Sequence, residues 1–346
     1  MLCLCTHSRC FTEECQASTA AARRARKRLT LAVCLPASLR GKYINVLSLA
    51  TDQHSGQNTS ATLPHRLELD NSSCYVDTCC YLFYTLWARH VLSRPPQASM
   101  TYGELLAVVT SLASSESAGT ACRMRNKFRK RLADLGGPEV GAEENLGVLL
   151  SFLFGKFRRN PEVDSQFTVS FSRATMCQQC NSRHSAVPGS AKLLTDLPMQ
   201  DNLPAAQPRL LIAARNCTEL QQLCDNCQCT AAVAFNEHLR FRKCVVLIDC
   251  YVDFRDQTVV QSSFPLVTRI DCTDLRLVFL AIQVARHWIA VALHNDSQWV
   301  VYDDRLPHLL VKSLAEAADN IVQRYPNPEN LESRVPSVEV AVYQVL

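Results

Sequence analysis

The sequence has no run of 18 apolar residues. Its richest, Leu146 to Phe154, is half of what a bilayer of about 30 Å demands. No membrane association is expected from it. The first fifteen residues, MLCLCTHSRCFTEEC, lack an apolar core of signal-peptide length, because His7, Arg9 and Glu13 interrupt it. A large excess of one charge is missing too: the net charge is +4 over 346 residues, so no nucleic-acid partner is expected. There is no internal repeat. Apolar residues at 47% and charged residues at 20% match ordinary globular usage, which excludes a fibrous or wholly disordered chain.

Cysteine is what the chain has in excess, with 18. In a small secreted protein that count would be a disulfide framework, but this chain is large enough to hold a core without covalent staples. In a reducing compartment the thiols divide among buried hydrophobes, metal ligands and a nucleophile. Cys79, Cys80, Cys122, Cys244, Cys250 and Cys272 lie in apolar or helical runs and read as small hydrophobes.

Along the chain, residues 1–62 read as a basic, low-complexity extension and linker. They hold AAARRARKR, a nuclear-import signal or a solvated charge run, and the polar tract TDQHSGQNTSAT. From Asn71 the pattern turns helical: SCYVDTCCYLFYTLWARHVL, capped by Asn71 or Ser72, then YGELLAVVTSLAS, CRMRNKFRKRLADL and EENLGVLLSFLFGKF. After Pro161 the period shifts toward two, in FTVSFSRAT, LRFRKCVVLIDCYVDF, LRLVFLAIQV, HWIAVALH, WVVYDD and VEVAVYQVL, with one helix at SLAEAADNIVQRY. Helices followed by antiparallel strands predict an α+β fold with a cleft between the halves.

Two constellations carry chemistry. Cys177 and Cys180, then Cys224 and Cys227, form two CxxC knuckles, each placing two thiolates on one tight turn. Together they supply the four ligands of a closed tetrahedral zinc site. The 43 residues between the knuckles exceed a compact ribbon's spacing, so the knuckles belong at the tips of two strand pairs. Redox cysteines are the other reading of these motifs. Cys217, Cys229 and His184 stand close enough in sequence to replace the fourth ligand.

The second constellation starts at NSSCYVD. A cysteine at a loop-to-helix junction feels the positive end of the helix dipole, so Cys74 is expected to have the lowest pKa of the thiols. Its base would be His287, in ARHWIAVALHNDSQWVVYDD. A hairpin turning at HNDSQ brings Asp303 and Asp304 back beside the imidazole. Cysteine, histidine and a carboxylate that fixes the tautomer make a thiol-protease arrangement; a structural histidine on a strand is the alternative.

The order of these motifs resembles the ubiquitin-specific protease (USP) family of cysteine deubiquitinases. NSSCYVDTCCYLF is similar to its GNTCYMNSxLQ box, RHWIAVALHNDSQWVVYDD to its GHYxAYV…W…FDD box, and EENLGVLLSFLFGKF to its QQDAxEFLxxLL helix. CVVLIDCYVDF resembles its LPxxLIIxLxRF strand, and AVYQVL its closing AYxLFY strand. TACRMRNKFRKRL and NSSCYVD also resemble the cylindromatosis-type branch. The likeness spans roughly Leu67 to the C-terminus.

The resemblance implies a papain-like cysteine protease of right-hand shape over residues 63–346. A helical thumb would span about 63–160, and a mixed palm with antiparallel β fingers carrying the zinc about 161–346. It implies hydrolysis at the C-terminal glycine of ubiquitin with Cys74 as nucleophile, His287 as base and Asp303 as third member. Structural zinc is the only cofactor implied, with no organic one. Ubiquitin or ubiquitinated proteins are the partners, the chain is expected to be a monomer, and its place the cytoplasm and/or nucleus. Arg286 replaces the family glycine before the histidine, and no arginine follows the strand in CYVDF. The family's oxyanion asparagine falls on Leu69, which leaves Asn71, with support from Asp304, as the expected source of the second oxyanion donor. An inactive ubiquitin-binding adaptor, or a protease for another ubiquitin-like modifier, are the competing readings.

Overall fold

The structure is a computed structural model that describes residues 63–70, 72–92, 100–113, 117–141, 144–158, 160–195, 208–215, 218–221, 224, 226–228, 231–325 and 335–346. The extension read over residues 1–62 and the expected donor Asn71 lie outside the described residues.

The first half is helical: α1 (Cys74–Ala88), α2 (Met100–Ala113), α3 (Ala118–Asp134), α4 (Leu146–Phe157) and α5 (Pro161–Gln166). Helix α1 is buried along its whole length from Cys74 to Leu86, because it is wrapped by α2, α3 and α4 and by the sheet. Such a helix is apolar nearly all round, which explains its aromatic, aliphatic and cysteine side chains, interrupted by the buried Asp77, Thr78 and Thr85. Asn145 caps α4 by accepting from the Gly147 N–H, so the helix read over EENLGVLLSFLFGKF begins after its two glutamates. Phe154 and Phe157 of α4 join Phe83 and Phe167 in an aromatic cluster with centroids 4.6–6.1 Å apart.

The second half forms two sheets. The smaller has strand order β2-β1-β5-β4, made by β1 (Val169–Cys177), β2 (Arg183–Ala191), β4 (Thr218–Gln221) and β5 (Ala231–Phe241). The larger runs β11-β10-β9-β8-β12-β6-β3, with β7 (Val267–Ile270) pairing β8 off that path. Its members are β3 (Leu193–Thr195), β6 (Cys244–Asp253), β8 (Thr273–Val284), β9 (His287–Leu293), β10 (Trp299–Tyr302), β11 (Leu309–Val311) and β12 (Ser337–Val345). Three helices, α6 (Arg209–Arg215), α7 (Gln257–Ser263) and α8 (Leu314–Arg324), complete the order.

The stretch that reads as one long strand, LRFRKCVVLIDCYVDF, is two. It breaks at Arg242-Lys243, so β5 belongs to the small sheet and β6 to the large one. Strands β8, β9 and β12 are buried on both faces, which is why their apolar runs hardly alternate. Cys79, Cys80, Cys244 and Cys250 are buried as expected of small hydrophobes; Cys272, in the turn between β7 and β8, is exposed.

Beneath the start of α1 lies an ion pair that no single segment announces. Arg125 of α3 places Nη1 2.6 and 2.7 Å from the two carboxylate oxygens of Asp77, both residues being essentially sealed from water. Ser73 donates its hydroxyl to the same carboxylate at 2.7 Å instead of capping the helix. Arg125 Nη2 donates to the Glu68 carbonyl and Arg129 Nη1 to the Asp70 carbonyl. The segment that leads into α1 is thus pinned from below by two arginines of α3. Removing one partner of a buried pair leaves an uncompensated charge. Arg125→Met should therefore cost about 3–5 kcal/mol in urea unfolding. The double variant Asp77→Leu/Arg125→Met should recover much of that loss.

Candidate active site

Cys74 is the first residue of α1, and Ser72 before it takes a left-handed backbone (φ 58°) that turns the chain into the helix. Helix α1 packs against β9. The Cys74 thiol points at the Arg286 carbonyl, with Sγ–O 3.9 Å, and the backbone of Trp288 also hydrogen-bonds the sulfur. The sulfur therefore lies against the chain on both sides of His287.

His287 opens β9, directly after a tight turn in which Val284 pairs with His287. Ala285 supplies the left-handed residue of that turn (φ 53°), so Arg286 stands where the resembled family has glycine without needing a positive φ. The hairpin closes at HNDSQ through His294 N–H donating to the Gln298 carbonyl at 2.9 Å. It returns along β10 to Asp303, as the pattern predicts. His287 Nε2 lies 3.0 Å from Asp303 Oδ1 and 3.5 Å from Asp304 Oδ1, all three side chains being buried.

Burial pushes the Asp303 carboxyl up, but hydrogen bonds from His287, from the Tyr325 hydroxyl (2.7 Å) and from the Arg305 N–H (2.9 Å) outweigh it, and the group sits below the usual range. An ionised Asp303 fixes the imidazole proton on Nε2. Nδ1 is then the basic nitrogen, and it has no hydrogen-bond partner. Tyr325, just beyond α8, is a member of the site that no motif flagged. Its only trace in the sequence is an aromatic at the end of a helix.

Asp304 is different. Burial, then the charges of Asp77 and Asp303, push its carboxyl up to about 8, and neither of its oxygens has a hydrogen-bond partner. Burial also pushes the Cys74 thiol up to about 11, with Asp304 and Asp77 adding to the rise and the Trp288 backbone opposing it. The expectation that Cys74 has the lowest pKa is corrected. The helix end is sealed, and desolvation with two nearby carboxylates outweighs the dipole. Cys74 rests as a thiol. The expected family position Leu69 holds an outward side chain, 41% exposed, whose backbone N–H donates to the Asp304 carbonyl at 3.4 Å.

The cysteine knuckles converge as expected. Cys177 ends β1 and Cys180 lies in the β1–β2 turn, while Cys224 and Cys227 lie in the connection between β4 and β5. The Sγ atoms are 3.5 Å apart for Cys177–Cys227 and 3.6 Å for Cys180–Cys224, and all four lie within 4.8 Å of one another. Four sulfurs at about 2.3 Å from a tetrahedral zinc would stand about 3.8 Å apart, so the donor set fits. Hydrogen bonds with Ser182 bring Cys224 down to about 5 and Cys180 to about 7, favouring the thiolates a metal takes. The alternative ligands Cys217 and Cys229 lie outside the described residues, as does the side chain of His184.

A groove of about 400 Å³ opens between the start of α4 and β6, lined among others by Asn145, Val148, Asp249 and Tyr251. Asp249 and Tyr251 both have positive φ (58° and 46°) where β6 slips register against β12, which turns Tyr251 outward.

Helical half, large sheet and a cysteine-tipped small sheet together resemble, at the level of the fold, solved deubiquitinase structures. Among the solved structures it is similar to are those of the SAGA DUB module Ubp8/Sgf11/Sus1/Sgf73. The module bound to ubiquitin aldehyde matches with a TM-score of 0.56 at 12% identity, over 89% of this chain and 76% of that one. The module bound to monoubiquitin matches with 0.53 at 12% identity over the same shares. A third structure of the module, with a truncated Sgf11, matches with 0.52 at 11% identity, over 89% and 75%. The sequence itself matches no protein-family model and no curated protein.

The two neighbouring aspartates should respond to pH with opposite sign. Asp303 has a lowered pKa, so its stabilisation is present above the unfolded value near 3.9 and is lost as pH falls through the lower folded value. Asp304 is raised to about 8, so the stability it allows is present below about 3.9 and is lost as pH rises toward 8. In thermal unfolding, Asp304→Asn should gain on the wild type as pH climbs from 4 to 8 (about four units,). Asp303→Asn should lose on it as pH rises from the acid side.

Proposed function

We propose that this protein is a thiol-dependent deubiquitinase, hydrolysing the isopeptide or peptide bond that follows the C-terminal glycine of ubiquitin. The observation that carries this reading is the buried His287–Asp303 pair, with free Nδ1, set against the start of the Cys74 helix. It is supported by a fold shared with Ubp8 modules solved with ubiquitin and ubiquitin aldehyde.

In this reading His287 Nδ1 takes the Cys74 proton as sulfur attacks the glycine carbonyl. The Cys74 backbone N–H, one of the unpaired donors at a helix start, faces the developing oxyanion. His287 returns the proton to the leaving amine, and water then hydrolyses the thioester, releasing the glycine carboxylate. Asp303, held by Tyr325 and the Arg305 N–H, keeps the imidazole in the productive tautomer. A thiol that rests protonated passes its proton only when substrate is in place, so thiol reactivity in the free enzyme is low. Zinc, held by Cys177, Cys180, Cys224 and Cys227, would tie the tips of β1–β2 and β4–β5 together and take no part in the chemistry.

The tests are direct. Wild-type protein should react with a ubiquitin C-terminal electrophilic probe, and Cys74→Ala should abolish labelling with an unchanged fold by circular dichroism. Labelling that persists, or moves to Cys79 or Cys80, overturns the assignment. Purified protein should hold one zinc per chain by mass spectrometry, and Cys224→Ser should lose it with a drop in melting temperature; a folded, metal-free protein refutes the zinc site.

A further inference from the structure

Acyl transfer develops negative charge on the carbonyl oxygen and needs donors ready for it. One comes from the start of α1. The second is not in the position where an amide would be sought, because Leu69 turns outward and spends its N–H on the Asp304 carbonyl.

The group beneath that crossing is the Asp304 side chain, 1% exposed, with both oxygens unpartnered. Among the described residues, the hydrogen bonds made around it go to other acceptors. From α1, Ser73 gives its hydroxyl to Asp77. From α3, Arg125 Nη1 and Nη2 go to Asp77 and Glu68, and Arg129 Nη1 goes to Asp70. From the sheet side, His287 Nε2, the Arg305 N–H and the Tyr325 hydroxyl all serve Asp303. Asp304 therefore meets two carboxylates, Asp77 and Asp303, and the Cys74 thiol, with the exposed Arg305 side chain opposing them, and in its protonated form it also hydrogen-bonds the Asp77 carboxylate at rest. Three carboxylates share this pocket, and only two have donors. A carboxylate buried without a donor takes up a proton, and a carboxylic acid is a donor.

We propose that Asp304 is held as a neutral carboxylic acid and donates a hydrogen bond to the oxyanion formed when Cys74 attacks. The inference rests on the deubiquitinase reading and adds to it a catalytic residue whose working form is the acid rather than the ion. The sulfur–carbon bond forms as the Cys74 proton passes to His287 Nδ1, and the carbonyl electron pair moves onto oxygen. Asp304 lends its O–H to that oxygen and keeps the proton. On collapse the carbon–nitrogen bond breaks, and His287 protonates the amine. Asp303, one residue earlier, does the opposite task as an anion, so environment alone divides two adjacent aspartates between two roles.

The pH dependence follows. Loss of the Asp304 proton, near 8, removes the donor and adds a negative charge beside the sulfur, so kcat should fall on the alkaline side. Asparagine is a neutral donor of the same shape. In hydrolysis of a ubiquitin C-terminal fluorogenic substrate, Asp304→Asn should keep kcat within about ten-fold and lose that alkaline fall, whereas Asp304→Ala should lose roughly 10²–10³-fold. Infrared difference spectra of wild type against Asp304→Asn at neutral pH should show a protonated-carboxyl band that disappears above pH 8. An Asp304→Asn enzyme as inactive as Asp304→Ala, or absence of that band, overturns the inference while Cys74-dependent labelling leaves the deubiquitinase reading standing. A wild type that shows the band yet reacts with no ubiquitin probe overturns the deubiquitinase reading, and the donor role with it.

Discussion

The buried Asp77–Arg125 pair is the constraint on which the rest depends. Asp77 is one turn into α1 and Arg125 is on α3, 48 residues away, so the pair ties the helix that carries Cys74 to the helix beneath it. The same arginine reaches the Glu68 carbonyl, and Arg129 reaches that of Asp70. Backbone that would otherwise be a free loop is thereby held against the start of α1. Replacing such a pair with apolar residues is often neutral for stability, so its value here is positional. It sets where the Cys74 sulfur sits relative to β9.

The same carboxylate also acts through space. With Arg125 bonded to Asp77, the exposed Arg305 side chain opposes only part of the rise at Asp304, and burial together with neighbouring carboxylates raises both Asp304 and Cys74. A site with this balance holds the Cys74 thiol protonated at rest. In the proposed deubiquitinase, substrate and not solvent would then trigger attack. Pushing two neighbouring carboxyls apart in pKa is a recurring way to obtain an acid and a base from one residue type.

The cysteine cluster sits in the other sheet and solves a different problem. Strands β1, β2, β4 and β5 form a four-stranded sheet in which β1 is only partly buried along most of its length. Four cysteines converge between the β1–β2 turn and the β4–β5 connection, where a metal would clasp the two. The large sheet needs no such clasp, because β8, β9 and β12 are sealed on both faces.

What the sequence determined by itself is local and ordered. The CxxC spacing marked four cysteines that converge, the His287 hairpin predicted where Asp303 would return, and the switch of period near Pro161 divided helices from strands. Each rests on neighbours within one turn or one hairpin, where covalent geometry leaves few choices. Tertiary structure alone decided the rest. Arg125 reads as one of six cations in a basic helix, and nothing in that pattern selects it for burial under α1. Tyr325 lies 22 residues beyond Asp303, at the end of a helix, and reaches it only because α8 folds back onto β10. The charge states of Cys74 and Asp304 were beyond reach of pattern for the same reason. A dipole can be read from a helix start, but desolvation and the field of carboxylates brought in from other segments exist only once the chain has packed.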